Sequence, residues 1–247
     1  MLAHTTGLTS RNANVSVGIL YKAKAIIDTP RLVNGTVSVP FTCKYSTAYN
    51  IKNSSGNILN SSSGLDKSTV TNNTYTCTSA SCPADITLNC ISDTNDSANK
   101  VIDLTALRAT IKTFSVTPST VQKSSAGNKI NVNWSLSTHD SCNIRVDTDP
   151  GSLVNALPNT VAIIENETLA VRAAFAAAPA TQVIAVDNSK ALTGGENVVT
   201  LPKIEYSKII SLVCGDSNND GIPEGIYAGR ADAIRTIKLK VVTAGEI

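Results

Sequence analysis

The sequence predicts an all-β protein made of two tandem β-sandwich domains behind a long N-terminal strand. Three observations carry this. Apolar residues recur at every second position through most of the chain, the period of a strand with one face buried. Aromatics are only 4% and charged residues 16%, and Ser, Thr, Asn and Val take their place, a mixture suited to pleated, half-buried surfaces. The six cysteines are even in number and mostly lie on the apolar parity of their segments. With 247 residues, 42% of them hydrophobic, the chain is long enough for two cores.

The first predicted element is a strand over residues 15–27, in which Val15, Val17, Ile19, Tyr21, Ala23, Ala25 and Ile27 share one face. At about twice the usual strand length, it is either an extension over 1–32 that pairs with a neighbouring subunit's sheet or simply the first strand of the first domain, kinked at Gly18. Asn34-Gly35 is a turn signal. After it Val37, Val39, Phe41, Cys43 and Tyr45 face one way, and Pro40, which has no N–H for a ladder, predicts an edge strand or a bulge. Residues 46–73 are rich in Ser, Asn and Gly and read as long loops with room for a short strand. Alternation returns at Thr74–Thr78 and at Asp85–Ile91, where Ile86, Leu88 and Cys90 align. Residues 101–112 suit a strand or a helical turn, and are read as the last strand of a first domain, 33–109, running into a linker.

The second domain, 110–247, opens with a Pro118-containing strand. Ile130, Val132, Trp134 and Leu136 then share a face, followed by Cys142, Ile144 and Val146. Residues 161–177 are Ala-rich and predict a short helix ended by Pro179. Ile210, Leu212 and Cys214 form the next unit. In the last, Ile237, Leu239 and Val241 face inward, with Thr236, Lys238 and Lys240 outward.

Parity also orders the cysteines. Cys43 and Cys90 point into the first core, Cys142 and Cys214 into the second, so each pair is expected to meet across the gap between two sheets. Cys77 and Cys82 remain, close enough to bridge a loop. No cysteine spacing fits a zinc site: the one close pair, Cys77-x4-Cys82, lies far in sequence from His4 and His139, where zinc wants two close pairs or a Cys pair with a His pair. Disulfides imply an oxidising compartment.

The segment FSVTPSTVQKSSAGNKINVNWSLSTHDSCNI, followed by IISLVCGD and IKLKVV, resembles the Ig-like repeats of bacterial surface proteins. The resemblance covers residues 110–244, and more loosely 33–105. It implies Ig-like sandwiches and an extracellular or cell-surface location. A proline-containing first strand, a Gly turn, a Trp-bearing strand and two cysteines on facing strands are the shared features.

A net charge of +2 without a basic stripe argues against nucleic-acid partners, and no apolar run is long enough for a membrane span. Residues 1–14 have neither the charged nor the apolar region of a signal peptide, so either a leader has been removed or release follows another route, such as a virion.

One stretch carries recognisable ligand chemistry. Asp216, Asn218, Asp220, the Ile222 carbonyl and Glu224 occupy alternate positions around Gly221, as oxygen donors do in a calcium loop. Tyr227 stands where a bidentate Glu would close an EF-hand. The competing reading is an Asx-rich turn between the last two strands. Eight Asn-x-Ser/Thr sequons, at Asn14, Asn34, Asn53, Asn60, Asn72, Asn95, Asn133 and Asn166, are candidate glycosylation sites, with Asn133 on an outward parity. Two histidines on unrelated segments leave few ways to build a catalytic triad. Asp147 and Asp149 read as flanking a Pro150-Gly151 turn, and Trp134 as core. No enzyme is expected.

The expected role is a structural subunit of an extracellular filament or cell-surface assembly, a homopolymer joined by strand pairing. The alternatives are an adhesin that binds a host or cell-surface protein through loops such as 46–73, and a virion or surface-layer protein.

Overall fold

The computed structural model describes residues 21–123, 127–148, 182–201, 204 and 207–243. In chain order the first half contributes β1 (Lys24–Ile27), β2 (Arg31–Val33), β3 (Thr36–Lys44), β4 (Ala48–Asn53), β5 (Ile58–Ser63), β6 (Val70–Thr78), β7 (Asp85–Ile91) and β8 (Ser97–Asp103). The second half contributes β9 (Ile111–Thr117), β10 (Thr120–Gln122), β11 (Lys129–Leu136), β12 (Cys142–Thr148), β13 (Gln182–Ala185), β14 (Gly195–Thr200), β15 (Lys208–Cys214) and β16 (Ile234–Val242). The protein is all-β. Strands β1–β8 form two sheets, one with β3 between β1/β2 and β6, the other ordered β5-β4-β7-β8. Strands β9–β16 form two more, β10-β16-β15-β12-β13 and β14-β11-β9.

Alternation produces the first core. Val37, Val39, Phe41 and Cys43 of β3 are buried against Tyr49 and Ile51 of β4 and Ile86, Leu88 and Cys90 of β7. Each large apolar side chain taken out of water contributes about 1.5–3 kcal/mol. Phe41 and Tyr49 meet edge to face with centroids 4.9 Å apart, the geometry that ring quadrupoles favour. The Cys43–Cys90 disulfide crosses from one sheet to the other, as parity predicts, and Cys77–Cys82 bridges the turn after β6.

Several expectations are corrected. Pro40 sits in a central strand whose register with β6 runs unshifted from Thr36↔Thr78 to Lys44↔Val70, so β3 is neither an edge nor bulged. The missing N–H is accommodated on the opposite flank. There β1 ends at Ile27, β2 begins at Arg31, and only Asp28 N reaches the Pro40 carbonyl, at 3.0 Å. The proline therefore faces the gap where one flanking strand gives way to the next.

Among the described residues the expected long first strand is strand over Lys24–Ile27, which pairs with β3 of its own chain. Tyr21–Ala23 are outside any strand, and residues 15–20 lie outside the described residues. The Ser- and Asn-rich stretch 46–73 is not loop but the β4–β5 hairpin and the start of β6. Its alternation is masked because β5 is exposed along nearly its whole length and needs no apolar face. The presumed last strand at 101–112 divides into the end of β8, a 3-10 turn at Thr105–Leu107 and the start of β9.

In the second half, the chain leaves one sheet at Pro118. Strand β9 pairs with β11, and β10 pairs parallel with β16 in the other sheet. Ile130, Val132, Trp134 and Leu136 are buried as expected. The Cys142–Cys214 disulfide forms, but not between sheets: Cys142 and Cys214 are directly opposed partners on the adjacent strands β12 and β15, with Cα atoms 4.0 Å apart. Parity assigns a cysteine to a face, and two strands of one sheet share that face as well as two facing sheets do.

This sheet is also buried on both sides. Ile210, Leu212 and Cys214 of β15 are buried, and so are Ile209, Ser211 and Val213 on the other parity. Thr236, expected to face solvent, is buried and its hydroxyl lies 3.3 Å from that of Ser211. The Ala-rich segment 161–177 lies outside the described residues.

Candidate functional site

The residues of the predicted calcium loop lie in the connection between β15 and β16, and they do fold together. Asp216 is buried at its start, and its Oδ2 accepts from the Gly221 amide at 2.9 Å. Asn218 Oδ1 accepts from Asp220 N at 2.9 Å, and Asp220 Oδ1 from Ile222 N at 2.7 Å. These Asx bonds wind the backbone into a tight coil. Asn218 Nδ2 donates at 3.1 Å both to Asp220 Oδ2 and to Glu224 Oε1, so two carboxylates converge on one atom. Ser217 Oγ holds the other oxygen of Glu224.

Arg145, which sequence reading passed over, anchors this loop from below. Its side chain is almost wholly buried, paired with Asp147 at 3.2 Å and with Asp216 Oδ2 at 3.8 Å, and it donates to the Asn219 carbonyl. Asp147 is thus an ion-pair partner inside β12, not a turn residue, while Asp149 lies outside the described residues. The signal was present: Arg145 and Asp147 are opposite charges two positions apart, hence on one face of a strand. They are buried because this face of the sheet is covered too.

Asp216 Oδ1 has no hydrogen-bond partner among the described residues, although the side chain is fully buried. A buried anionic oxygen without a donor is destabilising by about 1–3 kcal/mol or more. Burial raises the Asp216 carboxyl above its ordinary range, opposed by the Gly221 amide and Arg145 and reinforced by nearby Asp220. No three His, Cys, Asp or Glu side chains converge in metal-binding geometry among the described residues. The loop is an open cradle, with its ligand-type atoms grouped but not closed on a point.

Immediately after the loop, Gly225–Tyr227 form a 3-10 turn that reaches the first sandwich. Ile226 N donates to the Ser79 carbonyl at 3.1 Å. Tyr227 OH donates to Asp140 Oδ2 and accepts from Ala109 N at 2.7 Å, while Ser79 Oγ donates to Asp140 Oδ1 at 2.6 Å. Asp140 and Tyr227 are both 0% exposed, so one buried carboxylate is held by hydroxyls from two parts of the chain 148 residues apart (227 minus 79). Burial raises the Asp140 carboxyl above its ordinary value, offset in part by those hydroxyls and the Ser141 amide. It also raises the Tyr227 phenol, reinforced by the charge of Asp140.

Two glycines permit the contact. Asn34 and Gly35 both have positive φ, as a two-residue hairpin turn requires, and the Gly35 carbonyl accepts from Ser79 N at 2.8 Å. At Gly225, φ is +60° and a Cβ would stand 2.2 Å from the Ser79 carbonyl oxygen. Arg108 and Asp232 add an ion pair at 2.9 Å on the same side. The hydrophobic cluster is continuous through Leu104, Ala109, Ile226 and Tyr227. A cleft of about 280 Å³, lined by Gly35, Ser79, Ser141, Asn143 and Asp216 among others, lies between this junction and the loop.

Of the sequons, Asn34, Asn60, Asn72 and Asn95 are exposed, Asn53 and Asn133 are half-buried, and Asn14 and Asn166 lie outside the described residues. Asn53 Oδ1 already accepts from Asn57 N. Trp134 is core, 1% exposed, with its indole N–H donating to Asn197 at 2.8 Å. No helix among the described residues is long and apolar enough to cross a membrane.

No protein-family model matches the chain, and no curated protein matches it in sequence. Similar solved structures include Escherichia coli alpha-2-macroglobulin activated by porcine elastase, with a TM-score of 0.27 and 10% identity over 77% of this chain and 18% of that one. The trypsin-activated protein from Escherichia coli has a TM-score of 0.25 and 12% identity over 78% and 14%. Salmonella alpha-2-macroglobulin reacted with methylamine has a TM-score of 0.26 and 10% identity over 91% and 15%. The chain spans less than a fifth of the length of these proteins. Its architecture therefore rests on its own ladders and core.

Proposed function

We propose that the chain is a structural subunit of an extracellular filament or cell-surface assembly, joined to its neighbours by β-strand pairing. Three disulfides with no free cysteine fit an oxidising, extracellular setting. The observation that carries the assembly reading is the edge strand β5. Among the described residues it pairs only with β4, its sequence Ile58-Leu59-Asn60-Ser61-Ser62-Ser63 holds neither charge nor proline, and Ile58 is 60% exposed. Sheets that stay monomeric guard their edges with charge, proline or bulges. Apart from one register irregularity beside Leu59 (Ile51↔Asn60, then Lys52↔Ile58), the β5 edge runs regularly over Asn60–Ser63, which suits the addition of a neighbour's strand, with main-chain bonds supplying the affinity. The continuous junction between the two halves supports the same role, since a subunit that transmits load gains from a stiff body.

Negative-stain microscopy of the full chain tests this. Regular filaments are expected, and the pair Leu59→Lys and Ser61→Lys, which charges the β5 edge, is expected to abolish them while leaving the circular dichroism of a folded monomer. Filaments unaffected by that pair would refute pairing through β5. A monomer that never polymerises but binds host cells would establish the adhesin reading instead. A glycan found at Asn60 by mass spectrometry would also exclude this edge, because it would cover the strand.

A further inference from the structure

We infer that the loop Asp216–Glu224 is a calcium site whose occupancy stiffens the junction between the two sandwiches. Such a site would serve a monomer and a polymer alike. Asp216 divides its carboxylate between two tasks: Oδ2 takes the Gly221 amide and faces Arg145, while Oδ1 is buried and has no hydrogen-bond partner among the described residues. A buried anionic oxygen in that state needs a cation, and the guanidinium lies on the other oxygen and is shared with Asp147.

Two further carboxylates, of Asp220 and Glu224, already converge on Asn218 Nδ2 at 3.1 Å each. An amide N–H₂ between two carboxylate oxygens marks a point of negative potential. Ca²⁺ in its place, with Asn218 Oδ1 released from the Asp220 amide to face the ion and the carboxylates drawn in from their present spread, would collect oxygen donors from Asp216, Asn218, Asp220 and Glu224, with the Ile222 carbonyl close by in sequence. All are hard oxygen ligands, the set calcium takes at about 2.3–2.6 Å with irregular geometry; magnesium demands a stricter octahedron at about 2.0–2.1 Å. The ligands are grouped but not closed, and Tyr227 replaces the bidentate closing residue. Binding is therefore expected in the weak range of extracellular modules, Kd about 10⁻⁴–10⁻³ M.

The coupling follows from chain connectivity. Glu224 is followed directly by Gly225, Ile226 and Tyr227, whose backbone and phenol bond to Ser79, Asp140 and Ala109. Drawing Glu224 onto an ion fixes the start of that turn, so the amides of Ile226 and Ala109 should open less often.

The test is calcium titration of the full chain by calorimetry, with melting curves and amide exchange at Ile226 and Ala109. One site is expected. In about hundredfold excess of calcium over Kd, melting should rise by roughly 5–10 °C, with at least tenfold slower exchange of both amides and little response to magnesium. Asp220→Asn and Glu224→Gln, whose side-chain partners all lie within the loop, should melt like the parent in chelator yet bind calcium more than tenfold more weakly. Unchanged melting and no heat of binding in the parent would overturn the site. Undiminished binding by both variants would place the ion elsewhere and also overturn it. Binding without slowed exchange would leave a calcium site but overturn the coupling.

Discussion

In the first sandwich Cys43 and Cys90 tie one sheet to the other, whereas in the second Cys142 and Cys214 tie neighbouring strands of a single sheet. The first half alternates apolar inward and polar outward, and its outer strands β5 and β8 are largely exposed. In the second half β15 is buried on both faces, and a fully buried Arg145–Asp147 pair lies on the face that simple alternation would assign to water. The contrast teaches that a strand's period identifies the faces, while the layers packed on each face decide what chemistry that face can carry. A sheet covered on one side can leave its polar residues to solvent. A sheet covered on both must pair every charge it keeps.

That contrast can be broken most severely at Arg145. Arg145→Met leaves Asp147 and Asp216 buried without their guanidinium, and a loss of about 3–5 kcal/mol in denaturant unfolding is expected. A near-neutral result would mean that water reaches this face and that the two halves differ less than their burial indicates.

The disulfides give the next largest effects. Their sequence separations are 47, 72 and 5 residues, so the chain-entropy relation assigns about 4 kcal/mol to Cys43–Cys90, slightly more to Cys142–Cys214, and about 2 kcal/mol to Cys77–Cys82. Paired Cys→Ala variants measured by urea unfolding check the order. If the cross-sheet bridge proves far more important than the in-sheet one, bridging geometry and not loop length controls the stability of these sandwiches.

At the junction, Tyr227→Phe leaves one oxygen of buried Asp140 without its hydroxyl donor, with an expected loss of about 1.5–3 kcal/mol. Its signature is a splitting of the melting curve, as the two halves cease to unfold together. One undivided transition in this variant would show that the apolar cluster alone joins them.

The smallest effect is in pH. The folded-state pKa of Asp140 is raised above the usual 3.8, so its contribution to stability is fully present below that value and is lost as pH rises through the raised one. Asp140→Asn should flatten stability against pH just above 3.8, a shift measured by melting at closely spaced pH values. A profile unchanged by the substitution would mean that the carboxyl is not desolvated in solution.

Much of the fold is legible in the sequence, for reasons that can be named. The inward faces of β3, β7 and β11 follow from Val37, Phe41, Leu88, Val132 and Trp134 recurring at every second position, because a strand's side chains alternate strictly. The hairpin at 48–63 is not legible in the same way, since an exposed strand can be built from Ser and Asn with little penalty. Pro40 misleads for a different reason: its tolerance depends on a gap between β1 and β2 that belongs to another part of the chain.

The sequence by itself determined that the protein is all-β, which faces point inward, which cysteines share an inward face, and that oxygen ligands recur through 216–224, because all of these follow from short-range periodicity and spacing. Only the tertiary structure decided which sheet each cysteine bridges, that Arg145 stands beneath Asp216, and that Ser79, Asp140 and Tyr227 share one buried site. Those facts depend on residues up to 148 positions apart (227 minus 79) meeting in space, and local pattern carries no information about such meetings.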